Sequence, residues 1–184
     1  MVRYIYRIDK TDHITFVNPP WLEFARENGA LELTDPSVVG SCIWKFIEGA
    51  ETRILYESLF SRLRATNNEV IVPFHCDSPT AIRKMELTLR SMPRGGIEFE
   101  GRLLETRERE YTPILDRQVP RSEKEVVICS LCRRILVAQG EWNDPESALV
   151  RLRLFALPSM PRLTERVCPR CREQTNLGDT ARPS

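Results

Sequence analysis

The sequence predicts an α+β fold in two parts, a mixed domain followed by a small module clasped by cysteines. Three observations carry this. Strand-like alternation of apolar residues occurs at both ends of the first hundred positions, with helical periodicity between them. A charged stretch containing prolines follows. Beyond it lie two CxxC pairs, Cys129-Ser-Leu-Cys132 and Cys168-Pro-Arg-Cys171, with 35 residues between them.

The elements follow in order. Tyr4-Ile-Tyr-Arg-Ile8 and Ile14-Thr-Phe-Val17 are β-rich runs around polar Asp9-Lys-Thr-Asp-His13, which predicts a hairpin. Asn18-Pro19 reads as a helix cap and first helical position, with Trp21, Phe24 and Ala25 forming one face and Asn28-Gly29 ending it. Residues 38–47 read as two short helical turns, and residues 50–64 as a longer helix with Leu55, Leu59 and Leu63 at i+4 spacing. Val70, Val72 and Phe74 then alternate, with Pro73 marking an edge or bulge. Met85, Leu87 and Leu89 alternate again. Ile97, Phe99 and Leu103 follow the Pro93-Arg-Gly-Gly96 turn as the last strand, antiparallel to the one before.

Residues 105–125 are charged and weakly periodic, and are expected to be a linker between a first domain at 1–104 and the cysteine module at 126–175. In that module residues 126–128 lead as a short strand into the first pair. Asp144-Pro145 starts a helix with Leu149, Leu152 and Ala156 on one side, and residues 176–184 are expected to be a flexible tail.

Two strands, several helices, then three antiparallel strands resembles the PAS arrangement. Ile14-Thr-Phe-Val-Asn18 with Trp21-Leu-Glu-Phe24-Ala25 is similar to the second PAS strand and first helix. Val39-Gly40-Ser-Cys-Ile-Trp44-Lys-Phe46-Ile47 resembles a turn such domains share. Val72-Pro-Phe-His-Cys-Asp-Ser-Pro79 ahead of Arg83-Lys-Met-Glu-Leu87 resembles small bacterial PAS sensor proteins. The resemblance implies a five-stranded antiparallel sheet with helices on one face and a cavity between them, for which Trp21, Trp44, Phe46, Tyr56 and Phe60 are the candidate lining residues. It also implies a protein partner in a signalling pathway and a homodimer through the PAS domain. The Cys-Ser-Leu-Cys-Arg-Arg to Cys-Pro-Arg-Cys segment resembles the cysteine-rich part that follows PAS domains in some bacterial signalling proteins. Where those relatives carry a histidine before the second pair, this chain has Thr164-Glu-Arg-Val167, so a histidine is not a ligand there.

Composition frames the chemistry. A chain of 184 residues, 41% hydrophobic and 29% charged, suits a soluble protein of one large domain or two small ones. The first residues are broken by charge every few positions, and no apolar run approaches the roughly 20 residues of a membrane helix. The expected location is therefore the cytoplasm, where thiols stay reduced and paired CxxC motifs favour a metal over disulfides. Cys129, Cys132, Cys168 and Cys171 are the expected ligands of a zinc ion. Four thiolates leave no open position, so this zinc is structural, stabilising a module too small to bury much core. Redox pairing of the same cysteines is the alternative.

Haem and flavin are not expected. His13 and His75 are the only histidines, and neither falls in residues 50–64, where a haem-binding PAS domain would place its ligand. Gly40-Ser-Cys42-Ile-Trp puts its cysteine one residue too early for a flavin-adduct motif, so Cys42 reads as a small buried residue. No phosphate-binding loop, nucleophile elbow or kinase block is present, and an enzyme is not expected. From Arg117 onward, 12 Lys/Arg stand against 8 Asp/Glu. Arg133, Arg134, Arg170 and Arg172 flank the cysteines and are the candidate contacts to phosphate or a partner. They carry the alternative reading, a transcriptional regulator that binds nucleic acid.

Overall fold

A computed structural model describes residues 2–28, 30 and 33–176. Gly29, expected at the end of the first helix, and residues 177–184 of the expected tail lie outside the described residues. The chain divides into two compact units, Met1–Pro73 with Met85–Leu104, and Phe74–Lys84 with Glu105–Ser184.

The first unit holds the body of a five-stranded sheet in the order β2-β1-β5-β4-β3. Its strands are β1 (Arg3–Ile8), β2 (Ile14–Val17), β3 (Val70–His75), β4 (Ala81–Ser91) and β5 (Ile97–Glu108). The expected helices lie between β2 and β3: α1 (Pro19–Glu27), α2 (Asp35–Val38) and α3 (Ala50–Thr66), with a 3₁₀ turn at Ile43–Lys45. Asn18 caps α1 as its sequence position predicts. Its Oδ1 accepts the Trp21 N–H at 3.1 Å and the Ile5 N–H at 2.9 Å, so one side chain ties helix to strand.

Register sorts this sheet into two chemically different faces. Tyr6 pairs with Phe99 and Ile8 with Ile97, while Arg7 pairs with Glu98 on the opposite side of the pleat. The Tyr6 side therefore faces the core. Phe60, Leu63, Leu89, Ile97 and Phe99 are at most 1% exposed, each contributing about 1.5–3 kcal/mol relative to exposure. The other face is a lattice of ion pairs: Arg7–Glu98 at 2.8 Å, Arg90–Glu69 at 2.6 Å, Arg90–Glu100 at 2.8 Å, and Arg102 with Glu86. The Pro93–Gly95 turn comes close to β1: a Cβ on Gly96 would lie 2.9 Å from the Ile8 carbonyl oxygen.

The second unit is built on a four-stranded sheet ordered β8-β7-β6-β9, from β6 (Arg121–Cys129), β7 (Ile135–Ala138), β8 (Glu141–Asn143) and β9 (Met160–Arg166). β6 and β9 are parallel, with Cys129 opposite Arg166. A parallel pair requires a crossover, which β7, β8, α4 (Pro145–Arg151) and a 3₁₀ turn at Leu154–Ala156 supply. Asp144 caps α4 as expected, accepting the Ser147 N–H at 2.9 Å. The helix is shorter than its leucine spacing suggests. Ala148 and Leu149 are buried, but Arg153 takes a positive φ of 52° and breaks the period, leaving Ala156 exposed and burying Leu154 instead.

Residues 105–125 are not a free linker. β5 continues to Glu108, and β6 begins at Arg121. Between them Ile114 is fully buried and Leu115 nearly so, packed with Ile128, Ile135, Leu149 and Met160. The Arg121 guanidinium binds the carbonyls of Ile114 at 3.0 Å, Asp116 at 2.5 Å and Pro161 at 3.0 Å. Charge density suggested solvent exposure. Two buried apolar residues and an arginine bound to three backbone carbonyls tie the segment into the second unit.

Candidate metal centre

Parallel strands are what bring the two CxxC pairs together. β6 ends at Cys129 and β9 ends two residues before Cys168, so both loops emerge at the same end of the sheet. The first loop turns tightly. Arg133 adopts φ 60°, its N–H bonds the Cys129 carbonyl at 3.0 Å, and the Cys129 N–H bonds the Arg134 carbonyl at 2.7 Å. The second loop becomes the first turn of α5 (Pro169–Asn176), where the Arg172 N–H bonds the Cys168 carbonyl at 3.0 Å. The Ser130 N–H donates to the Arg166 carbonyl at 2.9 Å, and Arg133 pairs with Glu165 at 2.9 Å, linking the two loops.

The sulfurs of Cys129, Cys132, Cys168 and Cys171 all lie within 4.8 Å of one another, close enough to hold a metal ion. Cys129, Cys168 and Cys171 are buried and Cys132 is half-buried. Cys132 Sγ lies 3.7 Å from Cys168 Sγ. Backbone N–H groups of Cys132 and Cys168 point at Cys129 Sγ at 3.5 and 3.4 Å.

Proximity divides the acidities of the thiols. Cys129 is drawn far below the usual thiol range by hydrogen bonds from the Cys132 and Cys171 thiols and from the two N–H groups. Cys132, donating to Cys129, is pushed up to about 12, and Cys171 is raised by donating to Cys129 and Cys132. Four sulfurs this close cannot all ionise without a cation among them. A metal ion, which the four cysteines could hold, would supply that charge.

The structure separates the other candidate residues. Arg133 is committed to Glu165, Arg134 is half-buried, and Arg170 and Arg172 are exposed. Arg133, which the nucleic-acid alternative would use, is thus already paired. In the first unit, four of the five candidate cavity residues join one aromatic cluster. Tyr6 stacks on Phe99 at 4.3 Å, Phe60 meets Phe99 at 5.6 Å, Trp44 and Tyr56 meet Phe60 at 5.3 and 5.9 Å, and Trp21 meets Tyr6 at 6.0 Å. Phe46 stands apart, 40% exposed. Trp44 and Phe60 also border an open groove of about 510 Å³, with Asp12, Glu57 and Arg64 beside them. Arg64 and the Trp44 Nε1–H both bind the Asp12 carboxylate, at 2.6 and 2.9 Å. Cys42, expected to be buried, is half-buried where it bridges to exposed His13.

Sequence reasoning missed a second support for the metal centre. The His75 N–H donates to the carbonyl of Leu131, inside the first CxxC loop, at 2.6 Å. Asp77, whose side chain is 3% exposed, takes the Arg109 guanidinium at 3.1 Å and the Arg83 N–H at 3.1 Å. Arg109 reaches on to Glu146 in the first turn of α4, at 2.5 Å. Burial would raise the Asp77 carboxyl; hydrogen bonds from His75 and Arg83, with the charges of His75 and Arg109, outweigh it and hold it below its ordinary value. The only local signal was the Asp77-Ser-Pro79 turn, which gives no hint of partners 32 and 69 positions along.

Comparison with known proteins adds little. No family model matches the chain, and no curated protein matches it. Among solved structures it is similar to a domain of an HTR-like protein from Haloarcula marismortui, at 13% identity and a TM-score of 0.37, over 56% of this chain and 98% of that one. A likeness of that size defines neither family nor function. Among the described residues, no helix is long and apolar enough to cross a membrane.

Proposed function

We propose that the chain is a non-enzymatic signalling protein, a PAS-type sensory or interaction domain coupled to a structural zinc module. The observation that carries the zinc is the sulfur geometry. Tetrahedral zinc with Zn–S bonds of about 2.3 Å requires sulfurs about 3.8 Å apart. The Cys132–Cys168 separation of 3.7 Å fits, and the remaining pairs fall within 4.8 Å. An all-sulfur, four-donor set suits Zn²⁺ over harder cations. When bound, the ion supplies the positive charge that lets all four thiols ionise. Cys129 at the end of β6 and Cys132 in the loop after it would hold the ion from one side, and Cys168 and Cys171 around the start of α5 from the other.

The PAS assignment rests on the sheet order β2-β1-β5-β4-β3, with α1, α2 and α3 inserted between β2 and β3. That order supports the sequence resemblance, which supplies the family. The aromatic cluster around Phe60 is where a small ligand would enter the core, and the groove beside Trp44 is where it would arrive. With no catalytic step assigned, a signal leaves by protein contact. A cytoplasmic location suits this reading, since thiols stay reduced there and remain available to a metal.

Elemental analysis with an absorption spectrum of the purified chain tests the reading. One zinc per chain and no visible band are expected. A haem or flavin band, or iron in place of zinc, would overturn it.

A further inference from the structure

The four thiols are not equally accessible. Cys129, Cys168 and Cys171 are 0%, 2% and 5% exposed, whereas Cys132 is half-buried, the most exposed residue of the set. Its sulfur lies 3.7 Å from Cys168 Sγ across the site, and within its own loop it also donates to Cys129. Within its own loop, Cys129 is the fully buried sulfur at which two backbone N–H groups point, and hydrogen bonding to a thiolate lowers its intrinsic nucleophilicity.

We propose that Cys132 is an oxidation site, where hydrogen peroxide enters the cluster, and that Cys168 resolves it as a disulfide that expels the metal. The proposal rests on the four-thiolate reading above. The Cys132 thiolate attacks one peroxide oxygen. An S–O bond forms, the O–O bond breaks, and hydroxide leaves a sulfenic acid. The Cys168 thiolate then attacks the Cys132 sulfur, so that an S–S bond forms, the S–O bond breaks and a second hydroxide leaves. Two thiolates lose two electrons and peroxide gains them. Cys129 and Cys171 remain as two ligands of four, too few to retain the ion, and zinc departs as Zn²⁺. Because the Leu131 carbonyl next to Cys132 holds the His75 N–H, the same event reaches the 74–84 segment of the second unit.

Zinc-loaded full-length protein is titrated with hydrogen peroxide while a chromogenic chelator reports free zinc and peptide mass mapping locates the disulfide. One zinc released per disulfide is expected, with the Cys132–Cys168 cross-linked peptide predominating. Cys132→Ser is expected to abolish the peroxide-dependent disulfide to Cys168, and Cys42→Ser to leave it unchanged. The wild-type peptide map decides the matter even where Cys132→Ser binds zinc weakly. A disulfide within one pair, Cys129–Cys132 or Cys168–Cys171, overturns the proposal. So does zinc retained at a dose that oxidises added glutathione. A preparation without zinc before peroxide contradicts the metal reading itself, and the proposal falls with it.

Discussion

The two units are held by different physics. In the first, burial is sufficient: aromatic and aliphatic side chains of β1, β4, β5 and α3 meet on one face of the sheet, and Phe60 and Phe99 sit at its centre. In the second, a smaller apolar cluster around Ile114, Ile128 and Leu149 is supplemented by four sulfurs at one end and a network of buried Asp77 and Arg109 with half-exposed Glu146. The first core tolerates loss by degrees. The second depends on groups that are stabilising only when complete, since an unmatched thiolate or a lone buried charge is itself a cost.

Metal removal should separate the units most sharply. Structural zinc in small modules carries about 10–16 kcal/mol of apparent binding free energy at neutral pH. A strong chelator, or Cys168→Ala, is expected to abolish amide protection across residues 126–171 while β1 and α3 keep theirs. Hydrogen exchange of the full chain measures this. Uniform loss across both units would show that the first does not stand on its own core.

The reverse experiment targets the first unit. Phe60→Ala removes a ring that is 1% exposed and touches Trp44, Tyr56 and Phe99. A loss of about 3–5 kcal/mol is expected from denaturant unfolding, with zinc content unchanged. Arg109→Met should rank close behind, costing about 3 kcal/mol because it leaves Asp77 buried without its cation. Its exchange signature should fall on residues 74–84. The double variant Asp77→Asn with Arg109→Met should recover part of that loss.

How much of this was legible in the sequence follows the same division. Where structure is set by neighbours along the chain, local chemistry sufficed: Asn18 and Asp144 cap the helices they precede, Met85, Leu87 and Leu89 bury one face of β4, and CxxC spacing brings each sulfur pair to its own turn. Bringing the two pairs together needs the parallel pairing of β6 with β9, which spacing alone does not specify. The 105–125 segment was misread because its charges outnumber Ile114 and Leu115, although those two decide its packing. The Asp77–Arg109–Glu146 network was invisible for a related reason. Its members are individually ordinary surface residues and acquire meaning only when the fold buries them.

A smaller, pH-dependent effect sharpens the contrast. Asp77 is held below its ordinary value of 3.8, so its contribution to stability is present above that pH and is lost as pH falls through the lower folded-state value. Wild type should therefore lose stability relative to Asp77→Asn as pH falls below about 4. Urea unfolding of the zinc-loaded protein, wild type against Asp77→Asn, at pH 7 and at steps of falling pH measures it. An unchanged difference between the two proteins would assign no linkage to Asp77.

Cobalt substitution tests the metal centre most directly. Reduced, metal-free protein titrated with Co²⁺ should saturate at one equivalent, with the intense visible bands of tetrahedral cobalt and strong sulfur-to-cobalt charge transfer in the near ultraviolet. Zinc should then displace the cobalt and bleach both. Weak bands of six-coordinate cobalt, or absorption that fails to saturate at one equivalent, would show that Cys129, Cys132, Cys168 and Cys171 do not form a single four-thiolate site.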